Sequence, residues 1–295
     1  GGFSGYLCEI LVIHYGSFLN FLKAASNWRE RELIDLEGYY KDREEEALRI
    51  FNQPLIVIDP VDKDRNVASA VNREKLAEFI AASRLFLEDP RIEFFFPPEI
   101  EVFSIEKTIR TMKSRGTSFI FLKTEPVKAV PDVLWGQLYK SQKALRNLLR
   151  GYDFKIIRDG IWSDEKTANV FLFEIDAQRL PAVKRHLGPP VTKKGDCERF
   201  LKKHLKSNRT LSGPRIEGDR WVVEIHRKYV DVKSLLRDRL KDGGRDLGIA
   251  VLISQSIKDS FEVLVNDEIL QFYSSNGEFA RFLTEFLKGK PRWML

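Results

Sequence analysis

The residue types that most often do chemistry in enzymes are scattered along this 295-residue chain. No two of its four histidines, His14, His186, His204 and His226, stand at a spacing typical of metal ligands. Asp62-Lys63-Asp64 is an Asp-x-Asp, but it lies in a predicted polar loop and no Gly-Ser precedes it, unlike the paired carboxylates that hold magnesium in polymerases. No Walker loop, Gly-x-Ser-x-Gly or dinucleotide fingerprint is present. We therefore predict neither catalytic residues nor a metal site in this chain.

Two short segments have residue types that can bind phosphate. Gly1-Gly2 and Ser4 stand at the start of a predicted helix, where free backbone N–H groups can donate to phosphate oxygens. Arg65 follows Pro60 in the polar loop and can offer its guanidinium fork to a phosphate or a base edge. Without further information the plainer alternative, a helix cap and a solvent-exposed arginine, is favoured.

Positive charge is concentrated between Arg179 and Glu217. The whole chain has a net charge of +6, whereas this segment has eleven Lys and Arg against three acids, a net charge of +8 that leaves −2 elsewhere. Such a surface suits a backbone of phosphates, although a solvated surface that only keeps the protein soluble is the alternative. The predicted RNA-binding residues are Lys184, Arg185, Lys193, Lys194, Lys202, Lys203, Lys206 and Arg209.

Length and composition indicate a globular protein of two or three domains. A hydrophobic fraction of 43% excludes a largely disordered chain. Two cysteines cannot build a disulfide framework, which is typical of a reducing compartment. The apolar segment from Phe3 to Leu22 contains Glu9 and His14 and follows no basic stretch, so we interpret it as a buried helix. We expect a cytoplasmic protein that does not associate with a membrane.

The elements that must position these residues can be predicted coarsely. The charged run from Trp28 to Arg49 indicates a solvated loop or hairpin, and Asn72 is expected to cap an amphipathic helix. After a proline-rich joint at 94–98, the order strand–helix–strand–strand favours an antiparallel sheet with helices on one face, as in ferredoxin-like and RNA-recognition folds. The further predicted elements are strands at 55–58, 119–122, 154–157, 170–175, 220–226, 248–253 and 261–265 and helices at 104–116, 132–149, 232–240 and 279–287.

Two motifs carry a family resemblance. Gly-Phe-Ser-Gly-Tyr-Leu-Cys-Glu at 2–9 and Asp-Pro-Val-Asp-x-x-Arg-Asn-Val-Ala at 59–68 occur in this order, and the helix after Asn72 ends in Phe-Leu-Glu-Asp-Pro. In these segments the chain resembles the archaeal, class I CCA-adding enzymes, which are tRNA nucleotidyltransferases. The resemblance implies a template-independent enzyme that adds C, C and A to tRNA 3′ ends from CTP and ATP.

The resemblance also implies a domain plan and site residues. The expected fold is a multidomain α+β protein: a helical neck at 1–97, an antiparallel-sheet body at 98–178 and 250–295, and a small basic α/β tail at 179–249. Arg65, Gly2 and Ser4 would face the nucleotide, and body and tail would hold the acceptor stem and TΨC arm of tRNA. The family's head, which binds Mg²⁺ through its carboxylates, is expected to be absent from this chain and to be supplied in cis or in trans, so the chain alone would be inactive. The open alternatives are a stand-alone structured-RNA-binding protein and a poly(A) polymerase-like enzyme.

Overall fold

The computed structural model describes residues 2–294, which divide into two units. The first unit contains the residues up to Glu99 together with those from Lys290 onward, and the second is Ile100–Gly289. The pair Pro97-Pro98 lies immediately before this boundary. The finer division into neck, body and tail stays a prediction.

The first unit combines helices with a small sheet, so it is not purely helical. Strand β1 runs parallel to β2, and β2 runs antiparallel to β3. All five residues of β2 are buried, and side chains of α1, α2 and α4 pack with this strand in one apolar core. The elements are α1 (Gly5–Tyr15), α2 (Phe18–Ala25), β1 (Glu32–Asp35), α3 (Glu44–Ile50), β2 (Leu55–Asp59), β3 (Asp62–Asn66) and α4 (Arg73–Glu88).

The predicted single helix from Phe3 to Leu22 is wrong, because the chain breaks after Tyr15. Gly16 ends α1 with a left-handed φ of 76°, a conformation that glycine adopts without steric cost. The Ser17 hydroxyl then accepts from the Asn20 amide and starts α2, and the two helices are bent by 94°. Within residues 2–294 no single helix is long and apolar enough to cross a membrane, although the bent pair passes by length and composition.

Two predicted loops of the first unit are regular elements. The charged run from Trp28 to Arg49 contains β1 and α3, because single apolar residues such as Ile34 and Ala47 suffice to bury one side of each element. The predicted polar loop at Asp62–Asn66 is strand β3, which pairs with β2 although four of its five side chains are exposed. For the strands β1 and β3, backbone pairing with β2, which composition does not encode, decides the structure.

The second unit is built around a four-stranded antiparallel sheet in the order β10-β4-β6-β5. Within it β4 and β6 pair along their whole length, with Ile120 opposite Phe173. A separate three-stranded antiparallel sheet has the order β7-β9-β8. The elements are α5 (Ile105–Ser114), β4 (Ser118–Thr124), α6 (Pro131–Gly151), β5 (Ile156–Ser163), β6 (Asn169–Ile175), β7 (Val183–Pro190), α7 (Lys194–His204), β8 (Thr210–Glu217), β9 (Arg220–His226), α8 (Val232–Leu240), α9 (Val251–Asp259), β10 (Phe261–Val265), α10 (Leu270–Ser275) and α11 (Gly277–Lys288).

Helices cover both faces of the four-stranded sheet, so the prediction of helices on one face is wrong. On one face Ile120 and Leu122 pack with α6, α8 and α9. On the other face Phe119 and Phe121 pack with α5, α10 and α11. Because the four consecutive β4 residues at 119–122 are all apolar, both faces of the strand must be buried there.

Two further details differ from the predicted elements. The predicted strand at 248–253 is the turn before α9 and its first residues, since a short apolar run can be a buried helix as well as a buried strand. Helix α8, which the domain prediction assigned to the tail, buries Leu235, Leu236 and Leu240 in the core beside the four-stranded sheet. The three-stranded sheet and α7 are therefore the elements that carry the basic segment.

Candidate functional site

Arg65 lies on β3 with its guanidinium against a buried carboxylate. Its Nη1 is 3.3 Å from Oδ2 of Asp59, the last residue of β2. The Asp59 side chain is fully buried, whereas the Arg65 side chain is 63% exposed. A guanidinium carries five N–H donors, so an arginine held at one nitrogen keeps the others for a ligand.

Tyr6 connects the start of α1 to this ion pair. Its hydroxyl donates to Asp59 Oδ1 at 3.1 Å, and the Val61 backbone N–H donates to the same oxygen. Burial raises the pKa of Tyr6, and the hydrogen bond to Asp59 raises it further, so the phenol stays a donor at neutral pH. The contact joins the two sequence motifs, because Tyr6 belongs to the first and both Asp59 and Arg65 belong to the second.

Asn66, next to Arg65, stabilises the hairpin that β2 and β3 form. Its buried Oδ1 accepts from the backbone N–H groups of Val57 and Ala68, each at 2.9 Å, and its Nδ2 donates to the Leu55 carbonyl. A buried amide with these partners fixes the direction of the strand on which Arg65 lies.

Ser4 acts as a helix cap in the structure. Its Oγ accepts from the Leu7 amide at 3.2 Å at the start of α1. Gly2 has no heavy atom within 4 Å of the position that a Cβ would occupy, so the backbone there is open to a ligand. Among the described residues no hydrogen bond or ion pair joins Gly2 or Ser4 to Arg65, and Tyr6 connects the two motifs through Asp59. The first residue of the predicted Gly1-Gly2 pair lies outside the described residues.

The described residues do not fit a magnesium site. Within 2–294 no group of three or more His, Cys, Asp or Glu side chains is placed to hold a metal ion. Asp62 and Asp64 lie on β3 as an exposed pair, and the Asp62 carboxylate accepts from the Asp64 backbone N–H. We derive no step through a metal bound to these residues.

Two of the predicted RNA-binding residues lie on opposite faces of β7 in the three-stranded sheet. Lys184 is on the face that includes His186, and its Nζ pairs with Asp153 at 2.6 Å. Arg185 points to the opposite face and pairs with Glu217 at 2.5 Å. Arg185 is thus partly neutralised. The exposed lysines of and beside α7, which make no ion pair within the described part of the chain, are Lys193, Lys194, Lys202, Lys203 and Lys206.

A groove forms where α7 meets β7 and the end of β9, and Arg209 lies at its wall. Five cationic side chains and one carboxylate, Asp153, are among the described residues that line it. The groove-lining residues with charged or ring side chains are Tyr152, Asp153, Lys184, His186, Lys203, His204, Arg209, Arg227, Lys228 and Tyr229. We call this the basic groove.

Comparison with known proteins decides the family. A family model described as the C-terminal domain of the CCA-adding enzyme matches residues 115–266, about half of the chain. The chain belongs to the CCA-adding enzyme family. A second family model, described as the second domain of tRNA nucleotidyltransferase, matches residues 1–96. The resemblance read from the two motifs is thus confirmed.

Curated CCA-adding enzymes are similar in sequence to this chain over nearly its whole length. The Methanosarcina mazei CCA-adding enzyme is 36% identical over 286 residues, 97% of this chain and 60% of the relative. That of Methanosarcina barkeri is 38% identical over 265 residues, 90% of this chain and 56% of the relative, and that of Methanothermobacter thermautotrophicus is 35% identical, with 97% and 60% covered. The chain therefore spans about 60% of the length of the CCA-adding enzymes that it matches.

Sequence reasoning did not select four residues that the structure places at these sites. Tyr6 and Asp59 are in the quoted motifs, but nothing in their spacing shows that they touch. His186 and His204 stand 18 positions apart, so a search for local metal-ligand spacing passes over the pair. One signal in the sequence could have pointed to His204. It follows Phe200 by one helical turn, which places it on the buried side of α7.

Proposed function

We propose that this chain is the nucleotide-facing and tRNA-binding part of a template-independent tRNA nucleotidyltransferase of the CCA-adding family. The complete enzyme adds CCA to tRNA 3′ ends from CTP and ATP in the cytoplasm. The Mg²⁺ ions and the catalytic carboxylates belong to a head domain that joins the chain in cis or in trans. The observation that carries the nucleotide role is the arrangement of Tyr6, Asp59 and Arg65.

The arrangement suits a contact with nucleotide phosphates or a base edge. Asp59 anchors one nitrogen of Arg65, while the rest of the guanidinium faces solvent. A positioned guanidinium contributes more to binding than a mobile one, because less side-chain entropy is lost when a ligand arrives. Gly2 and Ser4 lie at the start of the helix that carries Tyr6, where backbone N–H groups can meet the triphosphate.

The tRNA role follows from the charge of the second unit. The basic groove and the unpaired lysines of α7 present cations to a phosphate backbone, and such contacts fix orientation without reading sequence. We assign the acceptor stem and the TΨC arm to this surface, recognised by shape and charge.

The test of the nucleotide role uses the chain together with a head domain from an archaeal relative. Arg65→Ala is expected to lower incorporation of CTP and ATP at least tenfold, the loss of one charge-assisted hydrogen bond, while tRNA binding changes by less than about twofold. The matched control is Arg49→Ala on α3, whose side chain is 82% exposed and pairs with Glu45. Equal loss of incorporation and tRNA binding, or no loss of either, contradicts the nucleotide role.

A stand-alone RNA-binding protein remains the second candidate, since the basic groove alone would serve it. The two are separated by the head domain: an RNA-binding protein gains no CTP or ATP incorporation when the head is added. A poly(A) polymerase-like enzyme is excluded if incorporation prefers tRNA with an intact TΨC arm over tRNA with that arm deleted.

A further inference from the structure

Two histidines meet inside the basic groove. The ring centroids of His186 on β7 and His204 on α7 are 5.5 Å apart. The Phe200 ring lies beside both, stacked on His186 and tilted against His204. Phe200 and His204 stand four residues apart on α7, so they share the helix face that packs on β7. Both histidines line the groove.

His204 is buried without a partner. Its side chain is 5% exposed, and neither Nδ1 nor Nε2 has a hydrogen-bond partner among the described residues. Nearly all buried polar groups in native proteins are hydrogen-bonded, so such an orphan marks a group whose partner is a ligand or water. An anion is the partner that this environment selects, because the surrounding side chains are mostly cations.

The charges that face the histidine pair come from every element around it. Lys184 from β7 and Lys203 from α7 flank the rings, and Asp153 offsets Lys184 through their ion pair. Asp153 also accepts from Arg227, so one carboxylate serves two cations. The remaining titratable or charged groups of the groove are Arg209 after α7, Lys228 and Tyr229 after β9, and Tyr152 after α6.

We propose that the basic groove binds a phosphate group and that His186 and His204 take up a proton when it does. A phosphate placed among the lysines cancels their repulsion of an imidazolium and accepts a hydrogen bond from a ring nitrogen. The phosphate belongs either to the RNA backbone or to a free anion. The RNA source rests on the tRNA-binding function proposed above, whereas the anion site itself does not.

The electrostatics of the free groove agree with neutral histidines. Burial lowers the pKa of His186, and the charges of Lys203 and Lys184 lower it further. Burial also lowers the pKa of His204, followed by the effects of His186 and Lys203. A bound phosphate lowers the local positive charge and accepts a hydrogen bond from an imidazolium, so binding is expected to strengthen as the pH falls through the range between the free and the bound pKa values.

The first experiment follows each histidine by NMR in the full chain. The ring C–H signals are titrated from pH 8.5 to pH 5 alone, with an RNA minihelix made of an acceptor stem and a TΨC arm, and with inorganic phosphate. Either ligand is expected to raise the pKa of His186 and His204 while His14 and His226, which do not line the groove, stay unchanged. A shift with the minihelix alone assigns the site to RNA phosphate, and a shift with inorganic phosphate assigns it to a free anion as well. No shift with either probe overturns the proposal.

The second experiment measures minihelix affinity against pH at constant salt. A rise of one pKa unit at one histidine makes the affinity about tenfold higher below both of its pKa values than above them, and the same rise at both histidines makes it about a hundredfold higher. His204→Gln is expected to remove the part of this pH dependence that His204 contributes and to leave the part from His186. The control is His226→Gln, which replaces an exposed histidine outside the groove and is expected to preserve the pH dependence. Equal pH dependence in the wild type and in His204→Gln contradicts proton uptake.

If His204→Gln does not fold, a substitution at an exposed residue, Lys203→Met, tests the same electrostatics without changing the core. Lys203→Met removes an exposed charge from α7, so the free chain is expected to show a raised pKa for both histidines and several-fold weaker phosphate binding. An unchanged pKa for both contradicts the assigned electrostatics. If the minihelix does not bind at all, the tRNA function fails, and the inorganic phosphate arm still decides whether the groove is an anion site.

Discussion

At the scale of single residues, buried carboxylates organise the arginines of this chain. In the first unit, Asp59 accepts a hydrogen bond from Tyr6 and forms an ion pair with Arg65. In the second unit, the fully buried Glu174 carboxylate contacts two arginines. It accepts hydrogen bonds from Arg115 at 2.5 Å and from Arg158 at 2.6 Å. A buried charge persists only when it is paired, and here Glu174 holds two guanidinium groups through hydrogen bonds while Asp59 holds Arg65 through an ion pair.

Tyr6→Phe tests whether the hydroxyl positions Arg65. The variant removes one hydrogen bond from Asp59, a loss of about 1 kcal/mol, and the KM for CTP and ATP is expected to rise about fivefold with kcat little changed. The assay uses the chain with a head domain, and Tyr39→Phe, whose hydroxyl donates to the Pro60 carbonyl, is the control. An unchanged KM for both nucleotides shows that Tyr6 does not position Arg65.

Glu174→Gln tests the buried ion-pair cluster through pH. Burial opposes ionisation of this carboxyl, but hydrogen bonds from Arg115, Arg158 and Thr117 outweigh it and hold the pKa below its usual value of 4.5. Its stabilisation is therefore present above pH 4.5 and is lost as the pH falls through the lowered folded-state pKa. We expect the variant to lose about 3 kcal/mol of unfolding free energy at pH 7 and progressively less in acid.

Urea denaturation at pH 7 and at pH 3 measures this effect. Glu262→Gln is the matched control, because Glu262 forms an ion pair with Lys123 but is 53% exposed, and it is expected to cost less than about 1 kcal/mol. A loss for Glu174→Gln that does not depend on pH means that the carboxylate charge is not what stabilises the sheet.

At the scale of elements, one glycine lets α7 approach the three-stranded sheet. A Cβ on Gly188 of β7 would lie 2.7 Å from two ring carbons of Phe200, closer than atoms can pack. The same contact holds Phe200 between His186 and His204, so the glycine sets the geometry of the basic groove as well as the packing of the helix.

Gly188→Ala is expected to push α7 away from β7. Overpacking of this kind costs about 1–3 kcal/mol, and hydrogen exchange of the α7 amides should accelerate accordingly. Gly195→Ala within α7 is the control, since the nearest atom to its Cβ is 3.9 Å away and alanine favours a helix. Equal exchange rates in both variants would falsify the close packing of Gly188 on Phe200.

At the scale of the whole chain, the total net charge does not indicate an RNA-binding surface until the charge is counted segment by segment. The +6 of the chain is the sum of +8 in 179–217 and −2 elsewhere. The structure divides the +8 again, because Arg185, Arg199 and Arg215 pair with carboxylates, whereas the lysines of α7 do not pair within the described residues. These lysines are therefore cations that can contact RNA phosphates and release counterions from them.

Salt dependence measures how many of them contact phosphates. If about five side chains do so, log K for the minihelix against log salt should have a slope near −4. Replacing Lys202, Lys203 and Lys206 with alanine should bring the slope about 2–3 closer to zero and weaken binding uniformly across tRNA species. The control replaces with alanine three lysines of the same unit that pair with carboxylates, Lys123, Lys155 and Lys233, and it is expected to leave the slope unchanged. Selective weakening between species means that these residues read bases.

Much of the fold could be predicted because it is encoded locally. Asn72 and Ser104 cap helices as expected, and the strands at 220–226 and 261–265 have the predicted bounds, since capping and apolar patterning act within a few residues. Two of the wrong predictions share one cause. The β1–β2 pairing and the helices on both faces of the four-stranded sheet depend on contacts between segments that are distant in sequence.

The sequence by itself determined the family and the basic segment, because two motifs and a local excess of charge are properties of composition and order. Only the tertiary structure decided that Tyr6 meets Asp59 across 53 positions and that His186 meets His204 in a groove. It also decided which cations are free, because ion pairing depends on distances of a few ångströms that folding creates between strands and helices.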